Sequence, residues 1–293
     1  MAQQELDMEL DKFRSFIGEA LADGGTQHLI KFTDEELAVL DPDSLVDVVA
    51  PTPHLDAMSD AEREWVLATA LRSLVARDLV EVENIEELDA VLRASSEAGM
   101  DRPEDQKAED DAPVSGAALK MKISPEVDLA LVLRRTAGHI VVAEQQTIRG
   151  SIHALVYVHA RDLLLVERIT GGGMHIFTLA NSASDAAEML QALTDPFGVA
   201  DEDGPARQLD PQALDSAGVG EALNSAIENA LVVTQLVVLS DPPGSLLTTY
   251  ATENSVWTVL VHKPHDPKGI TARAVGNRSL TRSIRNLILA KSE

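Results

Sequence analysis

The spacing of apolar residues divides the chain into a helical amino-terminal part and a carboxy-terminal part rich in strands. Residues 3–22 repeat apolar side chains at helical spacing, on one face, at Leu6, Leu10, Phe13, Ile17 and Leu21. Gly24 and Gly25 predict the end of that helix. Thr33 and Glu36 stand in capping-box register and predict a second helix start.

A third helix start is predicted at Ser59, with Glu62 completing a capping box. The segment that follows has an apolar stripe at Trp65, Ala68, Leu71, Leu74 and Val75. It runs into the strand-like LVEV that ends at Val82, and a short helix is expected at 85–95. A helix followed by a short strand is typical of winged-helix proteins, so residues 1–96 are predicted to be helical and winged-helix-like.

Residues 97–116 lack both periodicity and bulky aliphatic side chains, which predicts an acidic linker over 97–117. The period then changes to that of strands in VDLALVLRR, HIVVAEQQ, IHALVYVHA, DLLLVERIT and MHIFTLA. These runs predict an antiparallel meander in a domain spanning 118–196. Ser182 or Ser184 caps a helix that Pro196 ends, and a loop is expected over 197–217.

Residues 218–293 repeat this plan. A helix is expected at 218–231, followed by the strands VVTQLVVLS, SLLTTYATE, VWTVLVHKP and ITARAVG and a helix from Asn277. The repeat suggests a duplication of about 70 residues, although chance similarity of two α+β halves is the alternative. The predicted fold class is α+β, with a quasi-two-fold antiparallel sheet flanked by helical bundles.

The net charge of −24 argues against a general affinity for nucleic acid, because phosphates would be repelled. Basic residues concentrate only between Lys263 and Lys291, where seven stand against one acid. That segment carries +6, so the remainder carries −30. It either pairs with the acidic surface of the chain or docks an acidic partner. The segment EVENIEELD, residues 81–89, stands where a wing should be and is acidic, so it is unsuited to phosphate contact.

Nothing in the sequence predicts an enzyme, a cofactor or a metal site. Gly171–Gly173 is interpreted as a hairpin turn, since no phosphate-loop Lys-Ser/Thr follows. Asp201 and Asp203 resemble part of a calcium loop that lacks its closing Glu. The acidic amino terminus, the absence of Cys and the lack of an apolar run of about 20 residues favour a cytoplasmic protein without membrane insertion.

The order of elements resembles the EspG family, the cytosolic chaperones of actinobacterial type VII secretion. The resemblance runs from FTDEELAVL through WVLATALRSLVARDLVEV, ALVYVHARDLLLVERI and AAEMLQALTDPFG to VWTVLVHK and the terminal helix. The helix before residue 25 and the linker 97–116 are additional to the family pattern.

The resemblance implies a non-enzymatic chaperone or adaptor that holds a secreted helical protein. Two partner-binding regions are expected by analogy: the hairpin tip Gly171, Gly172, Gly173, Met174 and His175, and the arginines Arg278, Arg282 and Arg285 of the terminal helix. The respective alternatives are an ordinary turn and a solvated helix face. A transcription-associated DNA-binding protein is the alternative function, and the oligomeric state is open.

Overall fold

The computed structural model describes residues 17–19, 21–22, 24–42, 50–82, 121–160, 163–209, 220–239, 244–264 and 269–290. Within the predicted first helix, residues 17–19 are helical. The helix expected at 85–95 and the linker at 97–116 lie outside the described residues. The chain divides into a first unit of Met1–Ile30, Val132–Gly171 and Ile176–Glu293 and a second unit of Lys31–Leu131 and Gly172–His175.

The second unit contains helices joined to a small two-stranded sheet. The helices are α1 (Asp34–Leu40), α2 (Pro53–Asp56) and α3 (Asp60–Ala76), and the strands β2 (Val80–Val82) and β3 (Met121–Ile123) pair antiparallel. Both predicted capping boxes are confirmed, at Thr33 with Glu36 and at Ser59 with Glu62. Trp65, expected on the buried stripe of α3, is instead 42% exposed.

The interpretation of VDLALVLRR as a strand is wrong, because Pro125–Arg135 forms a helix, α4. Alternate apolar residues from Val127 to Leu133 mimic a strand period, but Ala130 is buried with them, as a helical face requires. The end signals are also helical. Pro125 stands in the first turn with acidic Glu126 and Asp128, and the basic residues are in the last turn.

Ten strands form one large sheet. They are β1 (Thr26–Thr33), β4 (His139–Thr147), β5 (Gly150–Ala160), β6 (Leu163–Ile169), β7 (Met174–Ala180), β8 (Arg207–Leu209), β9 (Val232–Leu239), β10 (Leu246–Ala251), β11 (Val256–Val261) and β12 (Ile270–Ala274). Their order is β1-β7-β6-β5-β4-β9-β10-β11-β12-β8. The eight strands predicted in the two repeats from His139 onward are confirmed, whereas the edge strands β1 and β8 were not predicted.

Two long helices cover one face of the central strands. These are α5 (Ala183–Thr194), which follows β7, and α7 (Asn277–Leu289), which follows β12. A shorter helix, α6 (Glu221–Glu228), precedes β9 within the segment predicted as helical. The main core lies beneath α5 and α7 and includes Val141, Leu236, Leu190, Leu280 and Ile284. Aliphatic and alanine side chains build this core, which accommodates the scarcity of aromatic residues.

Candidate functional site

The centre of the sheet carries aliphatic side chains on the face opposite to α5 and α7. Ile140 and Val142 of β4 lie opposite Leu239 and Val237 of β9, and Val237 lies opposite Leu246 of β10. All are partly exposed, and Leu239 is 39% exposed. We name these five residues the central ledge. A cluster of aliphatic side chains in contact with water is a feature of protein-binding surfaces.

The same strands show why the ledge is distinctive. Their alternate residues Val141, Ala143, Leu236, Val238 and Leu247 are fully buried in the core on the other face. Successive strand residues point to opposite faces, so β4 and β9 are apolar on both. In an antiparallel sheet with one solvated face the outer positions are usually polar. The central ledge departs from that pattern.

A polar row borders the ledge on the same face of the sheet. Glu144, Gln235 and Thr248 lie side by side on β4, β9 and β10. His153 of β5 lies opposite Glu144, with its Nε2 atom 4.0 Å from Oε1. Burial lowers the pKa of His153 below its usual 6.5, against the opposing charge of Glu144. The row fixes where apolar contact ends and hydrogen bonding begins.

Beyond the polar row lies a second apolar row, formed by Val233, Tyr250 and Trp257 on β9, β10 and β11. Burial raises the pKa of the Tyr250 hydroxyl, so this tyrosine is neutral under ordinary conditions. Leu223 of α6 packs with Ala272 against Trp257 and Val259. The second apolar row therefore ends under α6, whereas the ledge does not.

On the side of the ledge towards β5 and β6, this face of the sheet is covered by a buried ion pair. Arg134, near the end of α4, donates from Nε to Glu167 Oε2 at 3.1 Å, and the Tyr157 hydroxyl donates to the same oxygen at 2.5 Å. Burial by itself would lower the pKa of Arg134. The adjacent Glu167 carboxylate and Tyr157 have the larger combined effect, so the pKa of Arg134 lies above its usual value. Burial and then the charge of Glu167 raise the pKa of Tyr157 well above its usual value. The arginine is therefore charged and the tyrosine is neutral.

Part of the expected hairpin site is buried. In the second unit His175 is fully buried, and its Nε2 atom lies 2.7 Å from Asp34 Oδ1. Gly173 is buried too and has a φ of 72°, and a Cβ there would lie 2.7 Å from Asp34 Oδ2. A side chain at this position would therefore displace Asp34. Met174 is half-buried, and Gly171 and Gly172 are exposed. Of the five hairpin residues, Gly171, Gly172 and the half-buried Met174 remain accessible to a partner in this conformation.

Arg278, Arg282 and Arg285 are exposed along α7. They lie on the helix side away from the buried Leu280, Ile284 and Leu287. Because α7 packs on the core face of the sheet, these arginines and the ledge lie on opposite faces of it. The structure therefore does not bring them together into one surface.

The calcium-loop resemblance has a structural explanation. Asp203 accepts a hydrogen bond from the Gly276 N–H at 2.9 Å and another from the Ser279 hydroxyl at 2.6 Å. These bonds, aided by the charges of Arg273 and Arg282, lower the pKa of Asp203. The carboxylate caps the start of α7, which has no side-chain cap of its own.

Sequence reasoning did not identify the residues of the ledge, although a signal was present. In HIVVAEQQ and VVTQLVVL, consecutive rather than alternate residues are apolar. Such a run indicates a strand with two apolar faces. The run does not reveal whether α5 and α7 cover one face or whether helices cover both.

Among the described residues, no group of three or more His, Cys, Asp or Glu side chains could hold a metal ion. No helix in this part of the chain is long and apolar enough to cross a membrane. The chain matches no protein-family model, and a search of curated proteins finds no match.

Proposed function

We propose that this chain is a non-enzymatic cytoplasmic binding protein, a chaperone or adaptor that resembles EspG and holds an apolar face of a secreted helical protein. The observation that carries the proposal is the central ledge, five partly exposed aliphatic side chains in the middle of a large sheet. The strongly negative net charge favours solubility of the chain before it meets its partner.

The dimensions of the ledge favour a helix as its occupant. Three strands at a spacing of about 4.8 Å form a strip roughly 14 Å wide. An α-helix with its side chains is about 10 Å across, so one helix fits the strip. A strand would instead add to a sheet edge, and β4, β9 and β10 are all interior strands.

We further propose that the two halves of the sheet are related by a quasi-two-fold duplication, as in the family resemblance. The strand order β4-β5-β6-β7-β1 runs outward on one side and β9-β10-β11-β12-β8 on the other. In addition, the only two tyrosines occupy matching positions. Tyr157 lies opposite Ile140, the second residue of β4, and Tyr250 lies opposite Val233, the second residue of β9.

The test is co-expression of the full chain with each protein encoded beside its gene, followed by affinity measurement on any complex that co-purifies with a helical secreted protein. Val142→Thr with Val237→Thr keeps side-chain volume and strand propensity but makes the ledge polar. We expect partner affinity to fall about tenfold or more. The matched control is Ile148→Thr, which changes a fully exposed aliphatic side chain in the β4–β5 turn.

Failure of every such protein to bind, or equal binding by the ledge and control variants, would remove the proposal. Circular dichroism and the urea midpoint of each variant show whether lost affinity reflects lost folding.

The alternative is a DNA-binding regulator that uses α3 with β2 and β3 as a winged-helix-like element. The helix followed by a two-stranded antiparallel sheet favours it. Two of its three arginines do not, because Arg77 binds Glu36 at 2.7 Å and Arg63 donates to the Leu55 carbonyl. A gel-shift assay with genomic fragments at low salt separates the two functions, since a regulator forms a salt-sensitive complex.

A further inference from the structure

A cleft of about 630 Å³ lies where the end of α6 meets the turn between β10 and β11. Glu228 and Asn229 line it from the helix end, Glu253 and Asn254 line it from the turn, and Trp257 lines it from the sheet. The cleft belongs entirely to the first unit. It adjoins the second apolar row on the ledge face, because Trp257 belongs to both.

The lining of the cleft is anionic. Its charged side chains are Glu228 and Glu253, both exposed, and the residues that line it include no lysine, arginine or histidine. The last turn of α6 also contains no basic residue. The carbonyl end of a helix carries partial negative charge, so α6 adds to the field of the two carboxylates. A cation is therefore the charge that this cleft favours.

Hydrogen bonds within the turn disfavour an anion. The Thr252 hydroxyl accepts from the N–H groups of Asn254 at 3.3 Å and Ser255 at 3.1 Å. The Thr252 N–H donates to the Ser255 carbonyl at 2.9 Å. These three backbone N–H groups of the turn are therefore already used and cannot bind an anion. The Leu231 N–H also donates to the Ala251 carbonyl at 2.8 Å, which ties the exit of α6 to the start of the turn.

Trp257 supplies an aromatic wall. Its indole is half-buried and packs with Leu223 and Ala272, which holds the ring in place. Tryptophan is the side chain whose ring face attracts cations most strongly, and the planar guanidinium of arginine stacks on it well. An aromatic wall beside two carboxylates suits a guanidinium better than a metal ion.

The other half of the sheet shows what fills the comparable position there. Residues 136–138 separate α4 from β4, and residues 229–231 separate α6 from β9. The last turn of α4 contains Arg134, whose guanidinium is bound by Glu167 close to Tyr157. At the same distance before its strand, α6 has Ile227, which is 41% exposed. The first half thus supplies its own arginine, and the second half does not.

We propose that this cleft binds an arginine side chain of the protein that occupies the central ledge, with the guanidinium against Trp257 and close to Glu228 and Glu253. The identity of the donor as a ledge-bound protein rests on the proposed function. The affinity of the cleft for a guanidinium group does not, so the two can fail separately.

The test uses Trp257 as a fluorescent reporter in the full chain. The chain has two tryptophans, so Trp65→Phe leaves Trp257 as the only one. The probe is acetyl-arginine methylamide, and its control is acetyl-citrulline methylamide, which replaces the guanidinium by a neutral urea of similar shape. Acetyl-lysine methylamide distinguishes a guanidinium site from a general cation site.

We expect the arginine probe to change Trp257 emission saturably, and the citrulline probe to require about tenfold higher concentration. Glu228→Gln with Glu253→Gln should lower the affinity of the cleft for the arginine probe about fivefold or more. The matched control Glu188→Gln, on the exposed side of α5, should leave binding unchanged. A higher salt concentration should weaken binding of the arginine probe, because salt screens the two exposed carboxylates.

Equal responses to the arginine and citrulline probes would overturn the proposal, as would the absence of any Trp257 response. It would also be overturned if Glu188→Gln weakened binding of the arginine probe as much as Glu228→Gln with Glu253→Gln does. A lysine probe that binds more tightly than arginine would overturn the guanidinium assignment. The ledge variant Val142→Thr with Val237→Thr should retain probe binding. If it also retains its protein partner, the ledge proposal and the assignment of the arginine to a ledge-bound protein fall, while the affinity of the cleft for a guanidinium group stands.

Discussion

In the first half of the sheet Tyr157 is buried beside the ion pair of Arg134 and Glu167, whereas in the second half Tyr250 is half-buried beside Trp257. The two tyrosines have matching partners, at the second residue of β4 and of β9. Their surroundings differ because the preceding helices differ. The end of α4 is fixed by a buried charge pair, and α6 is fixed by apolar packing of Leu223.

This difference shows how one arrangement of elements can give a closed region and an open one. A buried arginine must be paired, and once paired it fills the space between helix end and sheet. Where the arginine is missing, the helix end stays open, and the cleft beside Trp257 results. The predictions below test this comparison, from the largest expected effect to the smallest.

Breaking the buried pair should have the largest effect. Arg134→Met leaves the fully buried Glu167 without its cation, and we expect about 3–5 kcal/mol less free energy of unfolding. The measurement is urea unfolding followed by circular dichroism. Adding Glu167→Met to make both positions apolar should recover part of that loss. A change below about 1 kcal/mol for the single variant would mean that the pair does not seal this face.

Placing a basic side chain at the cleft should close it as Arg134 closes the first half. Glu228→Arg removes one carboxylate and adds a guanidinium at the rim. We expect the arginine probe to bind at least about tenfold more weakly, by Trp257 fluorescence. The control Glu188→Arg makes the same charge change on α5 and should have little effect. Similar weakening in both variants would show that only the net charge matters.

The helix caps of the two halves also differ, with a smaller expected effect. Ser182 caps α5 locally by accepting from the Asp185 N–H at 3.1 Å, whereas α7 depends on the distant Asp203. Ser182→Ala should cost about 1 kcal/mol of unfolding free energy.

Asp203→Ala should cost somewhat less than Ser182→Ala, because the Asp203 carboxylate is exposed and partly screened. Urea midpoints compare the two variants. Unchanged midpoints would show that water replaces the caps.

Acidification should have the smallest effect. Burial lowers the pKa of both His153 and His159 below 6.5, although a hydrogen bond to the Leu133 carbonyl opposes the shift in His159. The unfolded chain therefore binds protons at these sites at a higher pH than the folded protein. Their effect on stability is absent well above pH 6.5, and stability falls as pH drops through that value towards the lowered folded pKa.

The thermal midpoint between about pH 7.5 and about pH 5.5 measures this loss. His159→Gln should reduce it, because glutamine can donate to Leu133 without titrating. An equal loss of thermal midpoint on acidification in wild type and His159→Gln would assign the pH dependence elsewhere.

Much of the strand pattern could be predicted, because β4–β7 and β9–β12 are short runs rich in β-branched and other aliphatic residues. The segment from Val127 to Arg135 was misread, since alternate apolar residues also fit a helix that is buried on a broad face. The edge strands β1 and β8 were missed for another reason. Their pairing depends on partners remote in sequence, and β8 has only three residues.

Local chemistry in the sequence determined the capping boxes at Thr33 and Ser59, the cap at Ser182 and the positions of the inner strands. These features depend on residues within a few positions of one another, so a linear pattern records them. The ledge, the cleft and the burial of His175 were decided only by tertiary structure. The ledge and the cleft depend on which helix covers which face, and the apolar runs of β4 and β9 do not record whether their second face meets a helix or water. The burial of His175 depends on Asp34, which is remote in sequence.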